Sequence, residues 1–459
     1  MSRPRLSNEA LRWLEIVLAE RFGHLWSLRD VPHGLELRMV GSERCISFDA
    51  TQECFLECHS NQPFTRWDAA AEGWSSVLGD PLPAPGVASL PRPLIERNGN
   101  GYVVHYDVLG LVYWMLARVE EIGRTDLDNH DRFPATSSHA YKHGYLELPV
   151  VDEWLDVLGQ VLERQWPSVA LNSHEFRVEV SHDVDRPSRY LCRPLGSAMR
   201  SAFGDVVLRG DLLSPLRALW VRGSSPDALH PADPYNTFDW LMDVSEQHNL
   251  QSTFYFKTGR SNPQFDAIYE IGHPAIRKLL RCIHKRGHHI GLHPSYECYR
   301  DAEQIRREAE ALWRVCEQEG IRQDEWGARM HYLRWLCPKT PYALEAAGLT
   351  HDSTPGYADH IGFRCGTCFS YPLFDPQGDR TLGIRIRPLT VMDCSIYSPE
   401  YMNLSSAQEA VDDVATVANN ARLVRGVFSL LWHNSELSPK RNRSLYLDAL
   451  GTAIRLCTR

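Results

Sequence analysis

The amino-acid sequence predicts an α/β fold from about residue 175 onward: a parallel sheet covered by helices, open or closed into a barrel. Two observations carry this. Short β-patterned runs alternate with amphipathic helical stretches as far as the C-terminus, the texture of repeated βα units. Several of the runs lead into Asp, His or Arg, and in such a sheet the carboxyl ends of the strands converge on one site. The chain has 459 residues, 43% apolar and 23% charged. That is ordinary for a globular protein with a sizeable core and excludes disorder, collagen and coiled coil. The length leaves room for a second domain.

Phe176-Arg-Val-Glu-Val-Ser alternates with period two and reads as the first strand. Ser252–Phe256 is the next, followed by a helix over Pro274–Lys285 and a short strand His289–Leu292. An amphipathic helix over Asp301–Gln318 puts Ile305, Ala309, Leu312 and Val315 on one face. Strands are expected around Trp326–Leu333 and Val391–Ile396, then a helix over Ala407–Arg422, the strand Val427–Trp432 and a last helix over Ser444–Leu456. Residues 175–459 are thus one domain. Within it, residues 193–235 break the rhythm with Gly204, Gly210, Gly223 and Pro231 and read as an inserted lid or binding loop.

Residues 1–170 read as a smaller α+β N-terminal domain. Strand-like runs lie at Leu35–Met39 and Cys45–Phe48, and helices over Asp107–Glu121 and Val151–Gln165. Residues 78–98, rich in Pro and Gly, read as a loop or linker. This part has no chemical constellation of its own; docking, dimerisation or substrate handling is its expected use.

The net charge is -9, from 49 basic and 58 acidic residues, with no basic stripe, so no nucleic-acid partner is expected. No apolar run approaches the ~20 residues of a membrane span. The opening Met1–Ala10 is polar and charged, without the apolar core of a signal peptide; a cytoplasmic location is the expectation. The twelve cysteines are then expected to be reduced. Cys54/Cys58 and Cys365/Cys368 are two unlike, distant pairs and do not make a zinc knuckle. Nothing in the sequence indicates the oligomeric state.

The chemistry gathers behind the strands. Ser181-His-Asp183-Val-Asp185 follows the first, and its two carboxylates alternate, so they point to one side of an extended chain. Later come His293-Pro-Ser-Tyr-Glu297, Arg329-Met-His331, His351-Asp352 and Trp432-His433. Each residue alone has a structural explanation: a turn carboxylate before Pro187, a loop histidine, a buried ion-pair arginine. Together they would build a metal-assisted hydrolytic site.

This ordered series, over residues 175–440, resembles all five motifs of the polysaccharide deacetylase family, the NodB-homology or carbohydrate esterase family 4 domain. The longer strings His139-Ala-Tyr-Lys-His-Gly, Gly291-Leu-His-Pro-Ser-Tyr, Arg329-Met-His-Tyr-Leu-Arg and Gly362-Phe-Arg-Cys-Gly-Thr-Cys resemble a bacterial subgroup with a small uncharacterised N-terminal domain. The resemblance implies a distorted, TIM-like (β/α)7 barrel. It also implies hydrolysis of acetyl groups, N-acetyl before O-acetyl, with one divalent metal ion, zinc being the expected one. By the same resemblance Asp183 is the general base and Asp185 a metal ligand. Val184 separates carboxylates that the family usually places side by side, so the two roles could be exchanged. His293 matches the first histidine of the family's metal motif, Arg329 the arginine that orients the base, Asp352 its acidic partner and His433 the general acid. The second metal histidine is replaced by Glu297. Either Glu297 or His331 could complete the site, and His331 is preferred because imidazole restores the ligand chemistry. Trp432 and Tyr357 are candidates to flank a sugar ring. The implied substrate is an acetylated amino sugar in a glycan, glycan precursor or glycosylated metabolite. Other non-peptide amides, or a non-catalytic glycan- or partner-binding role, are the alternatives.

Overall fold

The computed structural model describes residues 6–457 apart from positions 51, 80, 100, 192 and 267. Met1–Arg5, part of the N-terminal reading, and Cys192 lie outside the described residues. The other eleven cysteines are free thiols.

The first part of the chain contains β1 (Trp26–Val31), β2 (Gly34–Met39), β3 (Cys45–Phe48), β4 (Phe64–Trp67), β5 (Leu82–Pro85), β6 (Ile95–Asn98) and β7 (Gly101–Val104). Five of these form a sheet in the order β1-β2-β3-β7-β6, and β4 pairs with β5. Residues 78–98 are therefore not a plain loop, because they hold β5 and β6. Helices Asn8–Phe22, Val108–Leu116 and Val150–Gln165 accompany them. The helix expected over 107–121 stops early. Arg118 turns to a left-handed φ of 52° and its buried guanidinium binds the Glu121 carboxylate.

The larger sheet comprises β8 (Arg177–Val184), β9 (Ser252–Phe256), β10 (His289–Leu292), β11 (Gly327–Ala328), β12 (His351–Asp352), β13 (Tyr371–Asp375), β14 (Arg380–Ile386), β15 (Val391–Met392) and β16 (Val427–Leu431). The order is β13-β14-β12-β11-β10-β9-β8-β16-β15, parallel throughout except for the β13–β14 hairpin. The mixed α/β class is observed, but a closed barrel is not: the ladder stays open between its β13 and β15 ends. Residues 387–390 link β14 to β15. Pro388 has no N–H to offer a ladder. The Ser429 side chain holds this link to β16 instead, with Thr390 N donating to Ser429 Oγ at 2.9 Å and Ser429 Oγ donating to the Pro388 carbonyl at 2.7 Å.

Three further expectations change. The strand over 326–333 shrinks to β11, because Tyr332 and Leu333 adopt left-handed φ of 61° and 54° and turn the chain over the sheet. The strand over 391–396 ends at Met392, and a short helix starts at Asp393. Residues 193–235 carry helices Leu195–Arg209 and Ser214–Gly223, packed on a small cluster of Tyr190, Ala198, Ala202, Ala218 and Val221. Elsewhere local signals act as read. Asp301 accepts from Gln304 N and starts the helix Ala302–Gln318. One hydrophobic core runs from Ala10 to Ala453 and joins elements on both sides of residue 170.

Candidate active site

Register places the chemistry. Val184 lies opposite Phe256, Phe256 opposite Leu292, and Leu292 opposite Ala328. One residue further along these parallel strands stand Asp185, Lys257, His293 and Arg329. Close packing inside the sheet demands a glycine at Gly291, where a Cβ would meet the Tyr255 ring at 2.4 Å. That ring lies 4.6 Å from the Arg329 guanidinium carbon. Above the strand ends is a cavity of about 250 Å³, whose walls include Asp183, Asp185, His331 and His433.

Asp185, His293 and His331 each present one ligand atom, all within 4.8 Å of one another. Asp185 Oδ1 is 3.3 Å from both His293 Nε2 and His331 Nε2. The second nitrogens of both rings are engaged, His293 Nδ1 with the Arg329 carbonyl at 2.6 Å and His331 Nδ1 with Asp266 Oδ1 at 2.9 Å. Those partners accept only, so each Nδ1 carries the proton and each Nε2 presents a lone pair. Asp185 Oδ1 and His293 Nε2 are buried and have no hydrogen-bond partner. Asp185 Oδ1 and His293 Nε2 face each other at 3.3 Å without a hydrogen bond, and the Lys257 ammonium stands 3.1 Å from the same carboxylate oxygen. The two imidazoles and one carboxylate are a donor set that fits a divalent metal, and the Asp266 contact is the usual outer support of a metal-binding imidazole. Burial would raise the Asp185 pKa, but Lys257, with the His331 and His293 rings beside it, holds it well below the carboxylate range. Burial pushes His293 down, keeping it neutral.

Asp183 stands beside this cluster, with Oδ2 3.9 Å from His293 Nε2. Its Oδ1 accepts from Arg329 Nη1 at 3.1 Å, and the same nitrogen donates to Ser181 Oγ at 2.8 Å. Asp352 does not meet Arg329. It is buried and accepts from Trp335 Nε1 at 2.9 Å and Thr354 N at 2.8 Å, while Arg329 Nε donates to the Ser353 carbonyl at 3.1 Å. As the partner of Arg329, Asp352 is therefore corrected: its side chain closes the turn at 352–354, and a backbone carbonyl takes the arginine. Glu297 is outside the metal-type cluster, paired with Arg334 at 3.0 Å and 45% exposed.

His433 approaches from the end of β16, its Nε2 3.9 Å from Asp185 Oδ2. Asp393 accepts from both its Nδ1, at 2.7 Å, and its backbone N, at 2.8 Å. Burial opposes a charge on this imidazole, but the Asp393 carboxylate outweighs it and raises the pKa well above the usual histidine value. Trp432 and Tyr357 are buried in the core and do not line the cavity. The aromatic residues that do are Tyr332 and Tyr401.

Sequence reasoning missed Lys257, Asp266 and Asp393. Lys257 and Asp393 directly follow β9 and β15; the strand-end rule that found the others would have found Lys257, whereas Asp393 fell inside the strand expected over 391–396. Asp266 had no such signal. Among the described residues, none of 193–235 lines the cavity. Arg132 lines it instead, from the N-terminal part. It donates to the Tyr332 carbonyl at 2.9 Å and the Tyr401 hydroxyl at 3.0 Å. Arg334 pins the same loop through the His130 carbonyl and Asp131, both at 2.8 Å.

Residues 47–167 match a family described only as of unknown function, DUF7033. No curated protein matches the chain. Solved structures similar to it include a polysaccharide deacetylase from Mycobacterium smegmatis, at 16% identity and TM-score 0.38, covering 61% of this chain and 85% of that one. PuuE allantoinase is similar at 13% identity and TM-score 0.35, covering 61% and 84%. A polysaccharide deacetylase from Pseudomonas aeruginosa PAO1 is similar at 13% identity and TM-score 0.34, covering 63% and 86%. At these scores the likeness says nothing of this chain's own chemistry. No helix among the described residues is long and apolar enough to cross a membrane.

Proposed function

We propose that the chain is a metal-dependent hydrolase that removes an acetyl group from the nitrogen of an amino sugar. The observation that supports this most is a convergence. Three metal-type donors, an arginine-held carboxylate and a carboxylate-held histidine meet where strand ends border one small cavity. Asp185, His293 and His331 would hold the ion, and zinc suits a two-imidazole, one-carboxylate set. When bound, it supplies Lewis-acid polarisation of the acyl carbonyl and acidifies a water.

The remaining work belongs to the protein's own groups. Arg329 orients Asp183 through its Nη1 hydrogen bond, so that the carboxylate can accept a proton from the attacking water. Water oxygen bonds to the acyl carbon, and the carbon–nitrogen bond then breaks. His433, charged and fixed through Nδ1 by Asp393, delivers the Nε2 proton to the departing nitrogen. A cavity of about 250 Å³ lies below the usual range of roughly 300–1,000 Å³ for ligand sites. A single or terminal sugar unit fits that better than a long polymer segment. Arg132 gives the DUF7033-matching region a role as one wall of this site.

The reading is tested by elemental analysis of untagged protein and by acetate release from N-acetylated amino sugars. About one divalent ion per chain, lost in an Asp185→Ala, His293→Ala double variant, together with acetate release, is the expected result. A chain that takes up no ion even after reconstitution overturns it. The pH profile gives a second check. A raised histidine pKa means that the acid form persists through neutrality and the rate falls as pH rises through that pKa. Asp393→Asn removes the charge that raises it, so the alkaline limb of kcat should move to lower pH. An unmoved limb would remove His433 from the acid role. Arg132→Ala should raise KM roughly tenfold, the size of one lost charged hydrogen bond, with little change in kcat.

A further inference from the structure

The candidate metal cluster has a fourth member that the reading above does not use. Lys257 follows β9, is 2% exposed, and its Nζ is 2.8 Å from His331 Nε2. The same ammonium is 3.1 Å from Asp185 Oδ1. It pairs with that oxygen electrostatically without completing a hydrogen bond, since Asp185 Oδ1 has no hydrogen-bond partner.

His331 is the decisive residue. An imidazole offers two nitrogens, and here both are spent, Nδ1 on Asp266 and Nε2 on the lysine. A ring whose single lone pair accepts from an ammonium cannot at the same time ligate a metal. The lysine therefore excludes the third ligand by hydrogen bonding, and it opposes a second cation beside Asp185 by charge. It has somewhere to go. Asp266 Oδ1 is 3.8 Å from Nζ, and that carboxylate is already built into the support of the ring.

We propose that Lys257 is an internal competitor for the metal: the Lys257–His331 bond and a divalent ion on Asp185, His293 and His331 are mutually exclusive, and the cost of giving up that bond lowers the metal affinity of the wild-type chain. The proposal rests on the metal-site reading above and adds to it the residue that sets how tightly the ion is held. Removing the ammonium frees His331 Nε2 in advance, so binding should become tighter.

The test is zinc titration of the full-length, chelator-stripped chain against a competing chromophoric chelator. Wild type is compared with Lys257→Met and with Lys257→Gln, a neutral side chain that retains polarity should the methionine variant fail to fold. Circular dichroism reports the fold of each, and the Asp185→Ala, His293→Ala chain supplies the background. The expected result is one zinc ion per chain in all three, with Kd at least about tenfold lower in a folded neutral variant, equivalent to about 1.4 kcal/mol. Equal affinities within threefold, or weaker binding without the lysine, would overturn the competitor role while leaving the hydrolase reading in place. No zinc binding by wild type or by a folded neutral variant would overturn both.

Discussion

Asp183→Asn and His433→Ala should each lower acetate release by about 10²–10⁴, the usual loss when a proton-transfer group is removed. Asp183 is held by Arg329 at 3.1 Å and His433 by Asp393 at 2.7 Å. Asparagine keeps the size of Asp183 and can still accept from Arg329, but it cannot take up a proton from water. Its loss therefore separates proton transfer from packing. Asp183 and His433 are not the three metal-type donors, so zinc content should stay near wild type in both variants. Full activity in Asp183→Asn would show that the base lies elsewhere, with Asp185 the first alternative because the two carboxylates share one side of β8. Loss of zinc in His433→Ala would place that ring among the ligands.

The largest expected effect on stability lies outside this site. Glu121→Ala should destabilise the chain by roughly 3–5 kcal/mol, lowering Tm by roughly 3–5 °C, because it takes the shared carboxylate from two buried guanidinium groups. Glu121 accepts from Arg364 through both oxygens, at 2.9 and 2.6 Å, and from Arg118 Nη2 at 2.7 Å. All three residues are buried. Burial alone would raise the Glu121 pKa; Arg364 and Arg118 outweigh it and hold the pKa at about 2. A carboxyl depressed in the folded state contributes stability above its unfolded pKa and loses it as pH falls through the folded one. The contribution should therefore disappear between pH 4.5 and about 2, and Glu121→Gln should flatten that part of the acid unfolding curve. Urea unfolding at neutral pH and at pH 3 measures both effects. Wild-type stability in Glu121→Ala would mean that the two arginines find other partners. Arg364 lies in the Gly362–Cys368 string and Glu121 before residue 170, so this ion cluster ties together the two parts distinguished in the sequence.

Strand positions were legible where a β pattern was long enough to show. Ser252–Phe256, His289–Leu292 and Val427–Leu431 lie where period-two or continuous apolar runs place them. The two-residue strands β11, β12 and β15 have no period to read, and the pattern overran two of them. The β13–β14 hairpin and the strands within 78–98 also went unseen, the latter because Pro and Gly mark turns and short edge strands alike. Arg118 ended a helix through the buried cluster, a tertiary demand that overrode the local pattern.

The sequence by itself determined which chemical groups stand at the strand ends. Residue identity and alternation settle that Asp183 and Asp185 share a side, and that His293, Arg329 and His433 follow strands of one parallel sheet. Only the tertiary structure decided how those groups meet. It chose His331 over Glu297 beside Asp185, gave Arg329 a backbone carbonyl in place of Asp352, and set Lys257 against a histidine 74 positions away. These choices depend on strand register and on a left-handed turn at Tyr332. A hydrogen bond forms or fails over less than an ångström, and no spacing along a chain specifies distance that finely.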